Sequence, residues 1–300
     1  MKKKIYLTES KRKTITFYLL ISPWIIGFLA FVLGPMIISL FMSFTKWDLL
    51  TDPKWIGFDN YTKMFGDSLF YQSLKVTFVY SIFSVPLQLI LSLAVAMLLN
   101  QINWGVKVFR TIYYIPVIVS GVAVMVLWSY IFNPEIGLIN QVLKMVGIKG
   151  PGWIFDEDWA MTSLVVMSLW NIGGTVVIWL AGLAGVSKDL YESATLDGAN
   201  KWQLFRFVTL PALSPTLFYN LIMGVIGALQ TFNQAYIMTD GGPNNSTLFY
   251  NYYLWVNAFD NFEMGYASAM AWILFIIIII LTLIIFKSSS SWVYYESERK

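Results

Sequence analysis

The chain contains neither cysteine nor histidine, and only 12% of its 300 residues are charged. Lack of cysteine excludes a disulfide framework, a thiolate metal site and a cysteine nucleophile. Lack of histidine removes the commonest general base, the commonest zinc ligand and the usual proton relay. Charge is also missing from the interior of every long apolar run, with Lys75 and Arg110 at run ends where they can snorkel to the headgroups. Acids inside a membrane usually mark proton or sodium paths, so their absence speaks against a gradient-driven transporter, although carbonyls of broken helices can coordinate sodium without them. The pattern GxxxxGK[ST], which would cradle a nucleotide phosphate, does not occur either.

What the chain does have is apolar length: 57% hydrophobic and 17% aromatic residues do not fit a soluble surface, which needs roughly twice this charge. Uncharged runs at 14–45, 76–99, 111–132, 161–184, 216–239 and 267–286 are each about as long as the roughly 20 residues that cross a hydrocarbon core. The expected fold is an all-α polytopic membrane protein with six transmembrane helices. Residues 1–13 carry six basic side chains ahead of the first run, which is too long for a signal-peptide core. A basic cluster can also bind nucleic acid, but one placed directly before a span orients it, so both termini are expected in the cytoplasm. That topology puts fourteen of twenty Lys and Arg on the cytoplasmic side, as the positive-inside rule requires. The expected divisions are a cytoplasmic N-terminus at 1–13, a membrane domain at 14–286 and a cytoplasmic tail at 287–300.

The connections are short. Residues 46–72 read as a mixed-charge outer loop, 142–148 as a short interfacial helix, and Gly241, Gly242 and Pro243 as a turn after the fifth run. A phosphate-binding reading of that Gly-rich turn fails, because no Lys and no helix follow as it needs. Asp156, Glu157 and Asp158 form the acidic triplet that a membrane enzyme acting on a lipid-linked sugar would need. Consecutive carboxylates do not converge on a substrate unless a loop folds them, and a solvated turn explains them.

Residues 187–215 form a polar interruption with helix signals. Ser187 can cap a helix from Lys188 to Asp197, Gly198 supplies a left-handed turn, and a second helix runs from about Asn200 until Pro211 stops it. Each helix has a short apolar stripe, Leu190 with Ala194 and Trp202 with Phe205, so the stretch can rest on lipid or on a partner. The order Glu192, Ser193, Ala194, three residues, Gly198, nine residues, Val208, Thr209, Leu210, Pro211 resembles the cytoplasmic signature of ABC-importer permeases. Segments 109–116, 132–140 and 239–243 resemble the carbohydrate-uptake branch of that family, in its compact six-span form. The resemblance implies that the helix after Ser187 is a coupling helix docked on an ATP-hydrolysing subunit through Glu192, Ser193, Ala194, Asp197, Gly198, Leu210 and Pro211. It further implies a second permease subunit, two nucleotide-binding subunits, an extracytoplasmic solute-binding protein, the bacterial cytoplasmic membrane, no catalytic residue and no cofactor.

Polar residues within the spans gather in the fourth and fifth: Trp170, Asn171, Gly174 and Trp179, then Asn220, Gly227, Gln230, Thr231, Asn233 and Gln234. On one continuous helix Asn220, Gly224, Gly227, Thr231 and Gln234 share a face. Helix packing accounts for such residues equally well, since small side chains permit close approach and amides hydrogen-bond between spans. Amides, hydroxyls and ring faces suit a neutral polyhydroxylated solute, and in maltose-type permeases substrate contacts come from these two helices, so the resemblance implies a sugar held there.

Overall fold

The computed structural model describes residues 9–101 and 106–294. Expectations for the basic cluster at 2–4, for 102–105 and for the end of the tail lie outside them. In chain order the helices are α1 (Glu9–Phe28), α2 (Gly34–Met42), α3 (Asp59–Phe65), α4 (Ser68–Gln101), α5 (Val106–Ile118), α6 (Gly121–Ile131), α7 (Leu138–Met145), α8 (Glu157–Ser168) and α9 (Gly173–Ala184). There follow α10 (Lys188–Leu196), α11 (Lys201–Leu204), α12 (Leu210–Ala212), α13 (Ser214–Leu229), α14 (Tyr250–Trp255) and α15 (Met264–Ser289). Strands β1 (Thr45–Lys46) and β2 (Lys54–Trp55) form one antiparallel pair, an addition to the all-helical expectation in what reads as a plain loop.

Two compact units result, residues 1–65 with 257–272 and residues 66–256 with 273–300. In the first, α1 and α2 join through a π-helical turn, Leu29–Leu33, to make one 34-residue apolar helix. Pro35 comes two residues after that turn: a proline cannot donate to the carbonyl four residues back, here that of Phe31 within the turn, and clashes with it, and the wider turn relieves both faults. The buried Asn60 ties the end of this helix by donating to the carbonyls of Ser43 at 2.8 Å and Thr45 at 2.9 Å. A Cβ on Gly265 would stand 1.9 Å from the Thr45 carbonyl oxygen, so only glycine permits the approach of the α15 start to β1.

In the second unit α4 packs against α8, α9, α13 and α14. Its core joins Val95, Ala96 and Leu99 to Ile172, Val176, Trp179, Leu180, Leu183 and Leu213. Lipid tails are as apolar as these side chains, so close fit rather than escape from water holds such helices together. The glycines act accordingly: a Cβ on Gly182 would meet Thr216 and Leu213, and one on Gly224 would meet Val85 at 3.1 Å.

The six apolar runs fold in two ways. Glu9–Met42, α4 and α15 are unbroken helices long and apolar enough to cross a membrane. The other three are bent pairs: Thr111–Ile118 with α6 at 103°, Glu157–Asn171 with α9 at 49°, and Lys201–Ala212 with α13 at 65°. The fifth run does not stay helical to residue 239. It breaks at Thr231 and Phe232 and resumes in a π turn, Ala235–Thr239. The interfacial helix expected at 142–148 is α7, which starts four residues earlier, and the loop after Gly241 contains α14.

Candidate functional site

The breaks in the helices open a cavity. It measures about 600 Å3 and is bounded by α4, by the α5–α6 and α8–α9 junctions, and by α13 with the break after it. Its polar lining is Tyr80, Gln88, Ser168, Trp170, Asn171, Thr175, Tyr219, Asn220, Thr231 and Gln234; Val85, Pro116, Met125, Met167 and Met223 are among the apolar members. Among the described residues no Asp, Glu, Lys or Arg borders it. Asn220 is only 5% exposed, and its amide nitrogen has no hydrogen-bond partner among the described residues. A buried donor left so costs about 1–3 kcal/mol relative to a satisfied one, which a hydroxylated guest or a water would recover.

The expected residues divide. Trp170, Asn171, Gly174, Asn220, Gly227, Thr231 and Gln234 line the cavity. The five residues spaced along the fifth run, Gly224 included, do so although the helix stops at Leu229, because a break that leaves the strand of chain on the same side preserves the common face. Gly174 and Gly227 have nothing within 4 Å of a built Cβ, so these two open space rather than admit a neighbour. Gln230, Asn233 and Trp179 are not on the wall. Gln230 is exposed and uses its backbone carbonyl to accept from the Asn251 amide at 2.9 Å. Asn233 is exposed as well. Trp179 is fully buried in the core, its indole N–H donating to Ser92 Oγ at 3.0 Å, which leaves it no face for a guest. Tyr80, Gln88, Thr175 and Tyr219 are absent from the sequence-based set. A signal existed for the first two, since a tyrosine and a glutamine eight residues apart on one apolar helix lie about 80° apart around its axis, within one broad stripe.

The polar stretch folds from local chemistry. Ser187 Oγ accepts from the Asp189 N–H at 3.3 Å and caps α10. Gly198 has φ +84, and the N–H groups of Gly198 and Ala199 close on the carbonyls of Thr195 and Ala194. Asn200 and Gln203 then form a reciprocal capping box that starts α11. Glu192, Ser193, Asp197 and Gly198 are exposed, with Ala194, Leu210 and Pro211 partly so. Leu196, Trp202 and Phe207 are among the exposed apolar side chains, 66–89% accessible. Pro211 does not stop the helix but lies within α12, and the bend comes at Leu213. Tyr191 and Thr209 hydrogen-bond through their hydroxyls at 2.9 Å and hold α10 to the π turn Phe205–Thr209.

The acidic triplet is spoken for. Asp156 caps α8 by accepting from the Asp158 N–H at 3.1 Å, and the Glu157 carboxylate accepts from the Asn244 amide at 3.2 Å. Among the described residues no group of three or more His, Cys, Asp and Glu is placed to hold a metal ion.

Broken membrane helices around an uncharged cavity, with a structured polar stretch leading into one of them, define a permease. The chain belongs to the family of binding-protein-dependent transport system inner membrane components, which matches residues 76–293. It is 46% identical over 295 residues to the probable ABC transporter permease protein YesP of Bacillus subtilis (strain 168), covering 97% of this chain and 95% of that one. It is 31% identical over 278 residues to the trehalose/maltose transport system permease protein MalF of Thermococcus litoralis, covering 90% and 92%. A chain of a bacterial alginate ABC transporter, crystallised with an alginate pentasaccharide-bound periplasmic protein, has the same fold at TM-score 0.82 and 24% identity, over 93% of this chain and 95% of that chain. The protein is thus a membrane-embedded permease subunit of an ABC transporter and not an enzyme.

Proposed function

We propose that this subunit forms half of the path by which a neutral sugar or oligosaccharide enters the cell through an ATP-driven importer fed by a solute-binding protein. The observation that carries this reading is the cavity wall, which offers amides, hydroxyls and ring faces and, among the described residues, no charge. Sugar hydroxyls need donors and acceptors while their C–H faces stack on rings. The printed name of the Thermococcus relative, a trehalose/maltose permease, supports the same class. In this reading each bent pair counts as one crossing, which gives six spans with both termini in the cytoplasm. Residues 187–215 are then cytoplasmic, and the α10 surface at Glu192, Ser193, Ala194, Asp197 and Gly198 docks on an ATPase subunit, with Leu210 and Pro211 beyond it. A second permease, two ATPase subunits and an extracytoplasmic binding protein complete the assembly.

The test uses the assembled transporter in proteoliposomes. Asn171→Ala and Gln234→Ala should each reduce uptake by roughly tenfold, the scale of one lost polar contact at 1–1.5 kcal/mol, with assembly unchanged. Uptake at the wild-type rate in both would refute the cavity as the path. For the docking surface, Glu192→Lys should leave insertion and assembly intact and abolish the ATPase stimulation produced by loaded binding protein. Stimulation at the normal level would remove α10 from the coupling role.

A further inference from the structure

A second cavity, about 590 Å3, lies wholly within the unit formed by residues 1–65 and 257–272. Its wall includes Lys46, Lys54, Asp59, Lys63, Glu263 and Tyr266. The register of the β pair sets Lys46 directly opposite Lys54. Like charges facing each other across two strands destabilise the pair, so a hairpin of two-residue strands that keeps them invites a third, negative group between them. Of the three acids on this wall, two have other partners. Glu263 is ion-paired with Lys63, and Asp48 Oδ1 accepts from the N–H groups of Leu50 and Thr51 and from the Thr51 hydroxyl. Those bonds, led by the Thr51 N–H, hold the Asp48 carboxyl below its ordinary pKa and fix it in its own turn. Neither lysine forms a salt bridge among the described residues.

The cavity sits where two apolar helices end, after Met42 and before Met264. Next in the chain to wall residues, though not on the wall themselves, Leu50 is 83% exposed, Phe58 70% and Trp55 63%, and Trp55 stacks on Phe44. Large apolar groups so exposed would be unfavourable in water. At the level of lipid headgroups they are at rest, since aromatic rings collect there beside lysines.

The geometry points to a phospholipid site: Lys46 and Lys54 clamp the phosphate of a headgroup in this cavity while Trp55, Phe58 and Leu50 rest among the acyl-chain ends. Asp59, on the same wall and in the first turn of α3, stands ready for the ammonium of an ethanolamine headgroup. Recognition is local rather than a general basic attraction, because the six ionisable side chains of the lining, three Lys against Asp48, Asp59 and Glu263, carry no net charge. The inference rests on reading Glu9–Met42 and α15 as membrane crossings.

The experiment is native mass spectrometry of the full chain released from nanodiscs of phosphatidylethanolamine and phosphatidylglycerol. Retained phospholipid is expected for the wild type, and Lys46→Ala/Lys54→Ala should weaken retention roughly thirtyfold, about a fivefold loss per lysine. Lys54→Glu supplies the control for folding. It places opposite charges across the strand pair, so thermal stability should hold or rise while lipid is lost, which separates the site from the hairpin. Lipid retention unchanged in the double variant overturns the proposal, as does displacement of the lipid by millimolar inorganic phosphate, which would mark a site for free oxyanions. Resistance of each variant to alkaline extraction from membranes shows the crossings intact, so failure of the lipid site and failure of the span reading give different results.

Discussion

Adjacent glycines at 173 and 174 show how far a single atom reaches in this protein. A Cβ on Gly173 would lie 2.0 Å from the Tyr113 carbonyl oxygen and 3.1 Å from a Val117 methyl, whereas one on Gly174 would meet nothing within 4 Å. Gly173→Ala therefore forces α9 off α5, and an overpacked contact of this kind costs about 1–3 kcal/mol. Its unfolding midpoint in detergent should fall, while Gly174→Ala should unfold as the wild type and alter uptake alone. Trp179→Phe makes the complementary case. Loss of the bond to Ser92 Oγ and of ring volume should lower stability by about 1–2 kcal/mol with no change in the substrate concentration for half-maximal uptake. A shifted substrate dependence at unchanged stability would return Trp179 to the pathway. Sequence pattern separates neither pair, since both glycines and both tryptophans of the fourth span look alike in one dimension; only the position of Tyr113 and Ser92, far away along the chain, tells them apart.

At the scale of elements, legibility follows the range of the forces. Ser187 as a cap, Gly198 in the left-handed region and the limits of α10 are readable because the partners lie within a few residues. The breaks are not. An apolar run reports residence in the membrane, yet the 103° bend before α6 and the break at Thr231 depend on what neighbouring helices offer to the freed carbonyl and N–H groups. The shared face of Asn220, Gly227 and Gln234 was legible for a different reason, as a periodicity outlasts the interruption that ends the helix. The Tyr191–Thr209 bond is a long-range feature of the same kind, linking α10 to the bent fifth span across eighteen residues. Tyr191→Phe should remove about 1 kcal/mol from that link and leave the α10 helix itself intact. If α10 transmits force, substrate-stimulated ATPase activity of the assembled transporter should fall several-fold while basal hydrolysis stays constant. Equal losses in both activities would mean the bond supports assembly rather than transmission.

For the molecule as a whole, what is missing becomes an experimental advantage. A chain free of cysteine allows a single thiol to report which side of the membrane each segment occupies, with no background to subtract. Ser193 is exposed on α10, and Asp52 is exposed in the turn between β1 and β2. With six crossings and a cytoplasmic N-terminus, Asp52→Cys should react with an impermeant maleimide in intact cells, and Ser193→Cys only after the membrane is opened. Reaction of Ser193→Cys from outside would invert the topology and detach the exposed apolar surface of α10, α11 and the following turn from any ATPase. The uncharged spans add a second, independent reading of the same assembly. With no carboxylate or amine to carry protons through the described cavity, uptake by the reconstituted transporter should depend on ATP and remain unchanged when proton and sodium gradients are collapsed. A fall in uptake under gradient collapse at constant ATP would require ion coupling through backbone carbonyls at the helix breaks, and would move the energy input from α10 to the cavity itself.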